Sequence, residues 1–366
     1  PEILTLKYDG GKWTVSSDAA PQTDVAAFAG TTALPQGGLV SVGGAMLASL
    51  PSCGVGGGDL LNPGSGAAVQ KAVSWSGANG ETFGSTALTA GFLGPSLTPI
   101  SNRDAVAFGG AWPATATMAP SMVSLLLSAL PDAPMTSSPM GQNVSGVPTT
   151  FHTATRIGRL LTDTPSFPID ILVTGGFQMT NSVTPQPGQP PAAASSIRVY
   201  TLADAASAPT VRAVTPYLPA ACGSAQPHYR PAAFEAAAVT ASGQRVVITG
   251  GSATQVSGCN DCEIAADTSL LCTLSQASLY DSGKNAFRQI SAMAMGRFGH
   301  QQTLLQDGGI LVTGGLTRRT DRTGGQALSR RIPRRSARGR TAALAMAADP
   351  ARHHPAHAPR EIRREI

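Results

Sequence analysis

Met295–Gly315 reads MGRFGHQQTLLQDGGILVTGG. Phe298 to Leu305 form one run. Gln306, Asp307, Gly308 and Gly309 follow, and Asp and Gly tolerate the left-handed backbone that a tight hairpin turn needs. Ile310 to Thr313 are a short apolar, β-branched run, the composition of a buried strand. Gly314-Gly315 closes it, where a side chain would obstruct or φ must be positive. The stretch therefore predicts two strands joined by a turn. One hairpin cannot bury its own apolar face, so it needs companions.

The companions are present. LVSVGG ends at Gly43-Gly44, AVAFGG at Gly109-Gly110, ILVTGG at Gly175-Gly176, VVITGG at Gly250-Gly251 and ILVTGG at Gly314-Gly315; the second glycines are 66, 66, 75 and 64 residues apart. A near-constant step marks a repeat architecture, in which each unit buries its face against its neighbours. A second mark accompanies the first. Tyr280-Asp281, with Phe287 beyond, stands 34 residues before Gly314, and Tyr8-Asp9, with Trp13 beyond, stands 35 before Gly43. Tyr200 stands 50 residues before Gly250, and Leu125 stands 50 before Gly175 in a similar segment. Arg297 and His300 in the last unit, His152 in the third and Arg230 in the fourth make a third, weaker mark. The second unit has no Tyr-Asp, only Trp75 and Phe83.

Tyr-Asp, an aromatic residue, Arg, an Asp-Gly hairpin and an apolar strand ending in Gly-Gly together resemble a kelch repeat. The likeness is to the propeller domain of the galactose oxidase type, in a secreted bacterial form, and covers residues 1–316. It implies an all-β fold, a β-propeller of four-stranded blades. Five units are visible; they suffice for a closed five-bladed ring, and the preferred reading is an incomplete six- or seven-bladed ring with loop insertions. The resemblance also implies structural roles. The paired glycines shape strand ends, Tyr8, Tyr200 and Tyr280 pack between blades, and Arg297 and His300 hold neighbouring blades by hydrogen bonds.

Composition agrees with an all-β chain rich in loops. Of 366 residues, 42% are hydrophobic and only 13% charged, with 41 Gly and 28 Pro. No run reaches the length of a membrane helix; Met122–Leu130 is interrupted by Ser124 and Ser128 and enclosed by Pro120 and Pro131. The net charge of +5 is unevenly placed. Residues 1–316 hold 4 Lys and 9 Arg against 17 acids, hence −4, and residues 317–366 hold 13 Arg against 4 acids, hence +9. The basic balance is no signature of a nucleic-acid-binding body. Residues 317–366 contain no Lys and no aromatic residue. They read as a disordered basic tail, as an arm for nucleic acid or a membrane surface, or as an out-of-frame stretch of a GC-rich gene. The abrupt break after Leu316 favours the last. The chain begins with Pro1 inside a repeat, so the expectation is a mature or truncated fragment whose export signal lay upstream.

Five cysteines are present: Cys53, Cys222, Cys259, Cys262 and Cys272. Cys259 and Cys262 have zinc-ligand spacing, but only Cys272 is near and no His is close. Disulfides among Cys259, Cys262 and Cys272 in an oxidising compartment are the preferred reading. The stretch Cys53–Gly66, CGVGGGDLLNPGSG, lacks the spacing of a phosphate loop and reads as a loop over the propeller. Asn143-Val144-Ser145 is a formal glycosylation triplet.

The function expected from these features is a non-enzymatic binding module, extracellular or on the cell surface, that recognises protein or glycan through its loops without a cofactor. The alternative implied by the resemblance is a galactose-oxidase-like copper radical oxidase. Such a site needs two Tyr, two His and a Cys cross-linked to one Tyr around copper. His228-Tyr229, with Cys222 nearby, is a partial echo in reversed order, and His228 and Tyr229 are the weak candidates for a binding site. Nucleic acid enters only if the Arg-rich tail is genuine.

Overall fold

The hairpin expected around Asp307 exists: strands run over Phe298–Leu304 and from Ile310, and belong to a series. The computed structural model describes residues 2–9, 12–19, 29–34, 38–44, 71–76, 82–88, 94–110, 124–128, 136–139, 149–158, 162–178, 197–205, 207–214, 232, 234–254, 262–263, 271–305, 307–320 and 326–329. All of its regular structure there is β.

In chain order, β1 (Glu2–Asp9) and β2 (Lys12–Ala19) form a two-stranded hairpin. β3 (Gly30–Ala33), β4 (Leu39–Val42), β5 (Lys71–Ser76) and β6 (Thr82–Ala87) form the first four-stranded sheet. β7 (Ser96–Pro99), β8 (Asp104–Phe108), β9 (Ser124–Ser128) and β10 (Thr136–Pro139) form the second. Then come β11 (Thr149–Thr150), β12 (Thr153–Ile157), β13 (Ile169–Thr174), β14 (Phe177–Gln178), β15 (Ile197–Leu202) and β16 (Thr210–Val214). Of these, β12-β13-β15-β16 make the third sheet and β11 pairs with β14. β17 (Ala236–Val239), β18 (Arg245–Thr249), β19 (Ser252–Thr254), β20 (Cys262–Glu263), β21 (Leu271–Leu274), β22 (Ala277–Asp281) and β23 (Ala286–Gln289) follow. Here β17-β18-β22-β23 make the fourth sheet and β19-β21-β20 a small one. β24 (Phe298–Leu304), β25 (Ile310–Thr320) and β26 (Gln326–Ser329) make a three-stranded sheet. β25 thus runs past Leu316 into the Arg-rich segment.

The four complete sheets share one plan: four antiparallel strands in chain order, with the Gly pair ending the second. Sequence units cut at each Gly pair therefore divide every sheet in half, because the Tyr that follows lies on the third strand, beside the Gly-pair strand that precedes it. Ile171 faces Tyr200, Val246 faces Tyr280, and Leu39 faces Trp75. The matching residue of the second sheet is Leu127, opposite Ala105, and not Leu125, which faces Ala107. The variable connections between units displaced that count by two.

Second strands are continuous apolar runs because both their faces are covered. Ile171 and Val173 of β13 meet Ile100, Val106 and Phe108 of the second sheet. Leu172, on the other face, meets Val246, Ile248 and Tyr280 of the fourth. Tyr200 and Tyr280 are fully buried, and Tyr200 lies 5.4 Å from Phe108 between ring centroids. Each such side chain contributes about 1.5–3 kcal/mol on burial, so a sheet lacking one neighbour forgoes several of these terms. First strands form the common centre: β3 lies on β7, β7 on β12, β12 on β17 and β17 on β24.

Candidate functional site

Successive sheets are joined at the Gly-pair end by a repeated contact. The second glycine donates its N–H across the junction: Gly110 to the Thr149 carbonyl at 2.9 Å, Gly176 to Ala232 at 2.9 Å and Gly251 to Arg297 at 2.8 Å. Three residues after each acceptor stands a buried polar side chain, namely His152, Glu235 and His300. Each presses on the first glycine of the preceding pair. A Cβ on Gly109 would lie 2.6 Å from His152 Cε1, one on Gly175 2.5 Å from Glu235 Oε2, and one on Gly250 2.6 Å from His300 Cε1. These glycines also have φ of +60°, +66° and +63°, which a larger residue adopts at a cost. Two independent constraints therefore select glycine there.

The polar side chain also bonds to a hydroxyl of the preceding sheet. His152 Nε2 and Ser96 Oγ are 2.8 Å apart, and His300 Nε2 and Thr249 Oγ1 are 2.7 Å apart. Thr174 Oγ1 donates to Glu235 Oε2 at 3.3 Å, and the Ala232 N–H donates to Glu235 Oε1 at 3.0 Å. The Gln302 amide donates to Thr249 Oγ1 and to the Ala236 carbonyl. Burial pushes both histidines down to about 4, with the Arg297 charge adding to the effect on His300. Both are neutral at physiological pH, the form a desolvated imidazole prefers.

A third strand of contacts lies beside the first. Phe151 donates its N–H to Gly94, Phe234 to Phe151 and Gly299 to Phe234, each at 2.9 Å. These four equivalent residues span four sheets, and all have positive φ: +63° at Gly94, +56° at Phe151, +57° at Phe234 and +64° at Gly299. Non-glycine residues held there are unusual and costly. The rings compensate by stacking: Phe151 on Phe234 at 4.4 Å, and Phe234 near Phe298 at 6.0 Å. Phe151 also fills the space above Gly94.

Arg297 and His300 thus stand together at the junction of the fourth and fifth sheets, and His152 occupies the equivalent place two junctions earlier. Arg297 Nη1 donates to the Gly314 carbonyl at 3.0 Å. Tyr8 lies on β1 opposite Trp13. Cys262 lies on β20 opposite Leu274, and Cys272 on β21 opposite Ala253. His228, Tyr229, Cys53, Cys222, Cys259 and Arg230 lie outside the described residues. Sequence reasoning missed Glu235, Phe151 and Phe234. It matched His152 with His300 by identity, and Glu235 breaks that identity. The dipeptides Phe151-His152 and Phe234-Glu235 carried the signal, an aromatic residue followed by a side chain able to bond across a junction. Among the described residues no group of three His, Cys, Asp or Glu side chains is placed to hold a metal ion, and no helix is long and apolar enough to cross a membrane.

No family model matches the chain, and no curated protein matches its sequence. A match exists among solved structures. YjhT, a kelch-like β-propeller, superposes with a TM-score of 0.55 at 10% identity, covering 90% of this chain and 87% of that one. At that identity the likeness shows the fold alone: antiparallel four-stranded sheets of the β-propeller kind.

Proposed function

We propose that this chain is a non-enzymatic binding module of kelch type, exported or displayed on the cell surface, whose ligand is a protein or a glycan. The observation that carries the reading is an asymmetry between the two ends of the sheets. At the Gly-pair end the connections within sheets are 43–70, 109–123, 175–196 and 250–276, and those leading from one strand pair or sheet to the next are 20–29, 88–95, 140–152, 215–235 and 290–297. At the opposite end they are as short as 10–11, 34–38, 100–103, 240–244 and 282–285. Binding residues concentrate on long loops carried by a rigid scaffold. All five cysteines and the pair His228-Tyr229 fall on long connections of the Gly-pair end. Disulfides among Cys259, Cys262 and Cys272 would restrain the 250–276 connection, as an oxidising compartment permits.

The test is binding to a glycan array and to immobilised candidate surface proteins, with the full chain and with two shortened variants. Shortening 43–70 or 250–276 to a tight turn is expected to abolish binding. Replacing turn 240–244 is expected to leave it unchanged. The opposite pattern would refute the reading. Stoichiometric copper uptake with aldehyde and peroxide production from a sugar alcohol would replace it with the oxidase alternative, which rests on His228, Tyr229 and Cys222.

A further inference from the structure

The three junctions share one geometry but carry opposite kinds of acid–base group. His152 seals the third sheet on the second and His300 the fifth on the fourth, whereas Glu235 seals the fourth on the third; all three are buried. Among the described residues, no anion faces either imidazole. His152 meets Ser96 Oγ of β7 at 2.8 Å, Thr149 Oγ1 at 3.4 Å, and Gly109 and Gly176 at the ends of β8 and β13. Backbone groups of Thr149 and Phe108 favour its protonated form, but burial outweighs them. His300 meets Thr249 Oγ1 of β18 at 2.7 Å, Gly250 beyond it and Gly315 of β25. Its Nδ1 has no hydrogen-bond partner, and the charged group acting on it is Arg297, a cation. Glu235 differs. Its Oε1 accepts the Ala232 N–H at 3.0 Å and the Gln276 amide at 3.4 Å, and its Oε2 accepts the Thr174 hydroxyl at 3.3 Å. Thr174 Oγ1 in turn lies 2.9 Å from Thr153 Oγ1.

We infer that acid opens this molecule selectively, parting the second sheet from the third and the fourth from the fifth while the third and fourth stay joined. A proton adds a charge to a buried imidazole, and a buried charge without an opposite partner is costly. Each ring therefore takes up its proton when its junction parts and water reaches it. At Glu235 a proton removes a charge instead. The new O–H can donate to Thr174 Oγ1, whose own proton then turns to Thr153, and Oε1 keeps its two donors. The carboxyl junction thus stays satisfied in either form. Burial holds both histidines near 4 against an ordinary 6.5. Their contribution is whole above pH 6.5 and is lost as pH falls toward 4.

The test is hydrogen exchange of the full chain at pH 7, 5.5 and 4, corrected for the intrinsic pH dependence of exchange. The amides that bond across the junctions are the reporters: Gly110 and Phe151 for the second and third sheets, Gly176 and Phe234 for the third and fourth, Gly251 and Gly299 for the fourth and fifth. Between pH 7 and 4, protection at Gly110, Phe151, Gly251 and Gly299 is expected to fall on the order of 100-fold, the ratio set by a shift from 6.5 to about 4. At Gly176 and Phe234 it is expected to fall by less than about fivefold. An equal fall at all three junctions, or protection retained at either histidine junction, would overturn the inference. Two variants move the sensitive place. His152→Gln is expected to keep Gly110 and Phe151 protected at pH 4 while Gly251 and Gly299 still open. Glu235→His is expected to make Gly176 and Phe234 acid-labile. An undiminished acid loss at Gly110 in His152→Gln would show that the imidazole is not the sensor, and the inference would fall.

Discussion

The hexapeptide ILVTGG occurs twice, at Ile171–Gly176 and at Ile310–Gly315, and the two copies live in different surroundings. Both are strands paired to a preceding strand, and both copies carry two glycines of positive φ, at which β13 stops and through which β25 continues to Thr320. In the first copy Ile171 and Leu172 are 0% and 1% exposed; in the second Leu311 is 36% exposed. The glycines divide the difference into its parts. The second glycine is crowded in both copies by its own sheet: a Cβ on Gly176 or on Gly315 would lie 2.8 Å from the Cβ of His152 or of His300. The first glycine is crowded only where another sheet follows. A Cβ on Gly175 would lie 2.0 Å from the Ala232 carbonyl oxygen, whereas one on Gly314 would meet nothing within 4 Å. Local sequence makes the strand and its turn; the next sheet makes the core.

Four experiments would break or sharpen this contrast. The largest effect is expected from Gly175→Ala. Backbone oxygen cannot yield cheaply, so urea unfolding should show a loss of about 4 kcal/mol or more, the exceptional end of single-residue effects. A loss under about 1 kcal/mol would mean that the junction is not close-packed. The junction histidines come next. Their folded values near 4 lie below the unfolded value of 6.5, so the unfolded chain binds more protons below pH 6.5. Their stabilising effect is complete above that pH and is lost as pH falls toward 4, by roughly 3 kcal/mol for each fully desolvated ring. Urea unfolding between pH 7 and 4 should show the fall, and His152→Gln should flatten part of it. An unchanged slope would show that His152 is not desolvated.

Third, Leu172→Ala is expected to cost about 2–5 kcal/mol through the cavity it leaves, against under about 0.5 kcal/mol for Leu311→Ala at an exposed site. Equal losses in thermal or urea unfolding would show that the far face of β25 is covered in solution. The smallest effect belongs to Gly314→Ala, where only the left-handed backbone resists, at about 1 kcal/mol. A loss matching that of Gly175→Ala would reveal a following sheet packed on Gly314.

The candidate site was partly legible. Glycine pairs could be read directly because two separate constraints, positive φ and close approach, both exclude other residues. His152 and His300 were visible as a repeated residue. Glu235 was not, because the junction needs a group that bonds to a hydroxyl, and a carboxylate does that as well as an imidazole. Phe151 and Phe234 were illegible for a different reason. Aromatic residues do not ordinarily adopt positive φ, and backbone hydrogen bonds and ring contacts across sheets hold them there. Leu125 was placed two residues from the true position, Leu127, because loop lengths between units vary while register within a sheet does not.

The sequence by itself determined the β class, the strand–turn–strand unit, the Gly-pair step and the hairpin over Phe298–Thr313. Each rests on period, turn chemistry or backbone freedom, properties of neighbouring residues. Tertiary structure alone decided that the repeat boundary falls inside a sheet, that His, Glu and Thr clamp successive sheets, and that one ILVTGG is core while its twin is half open. Those outcomes depend on which surface packs against which, and identical sequences carry no record of what lies beside them.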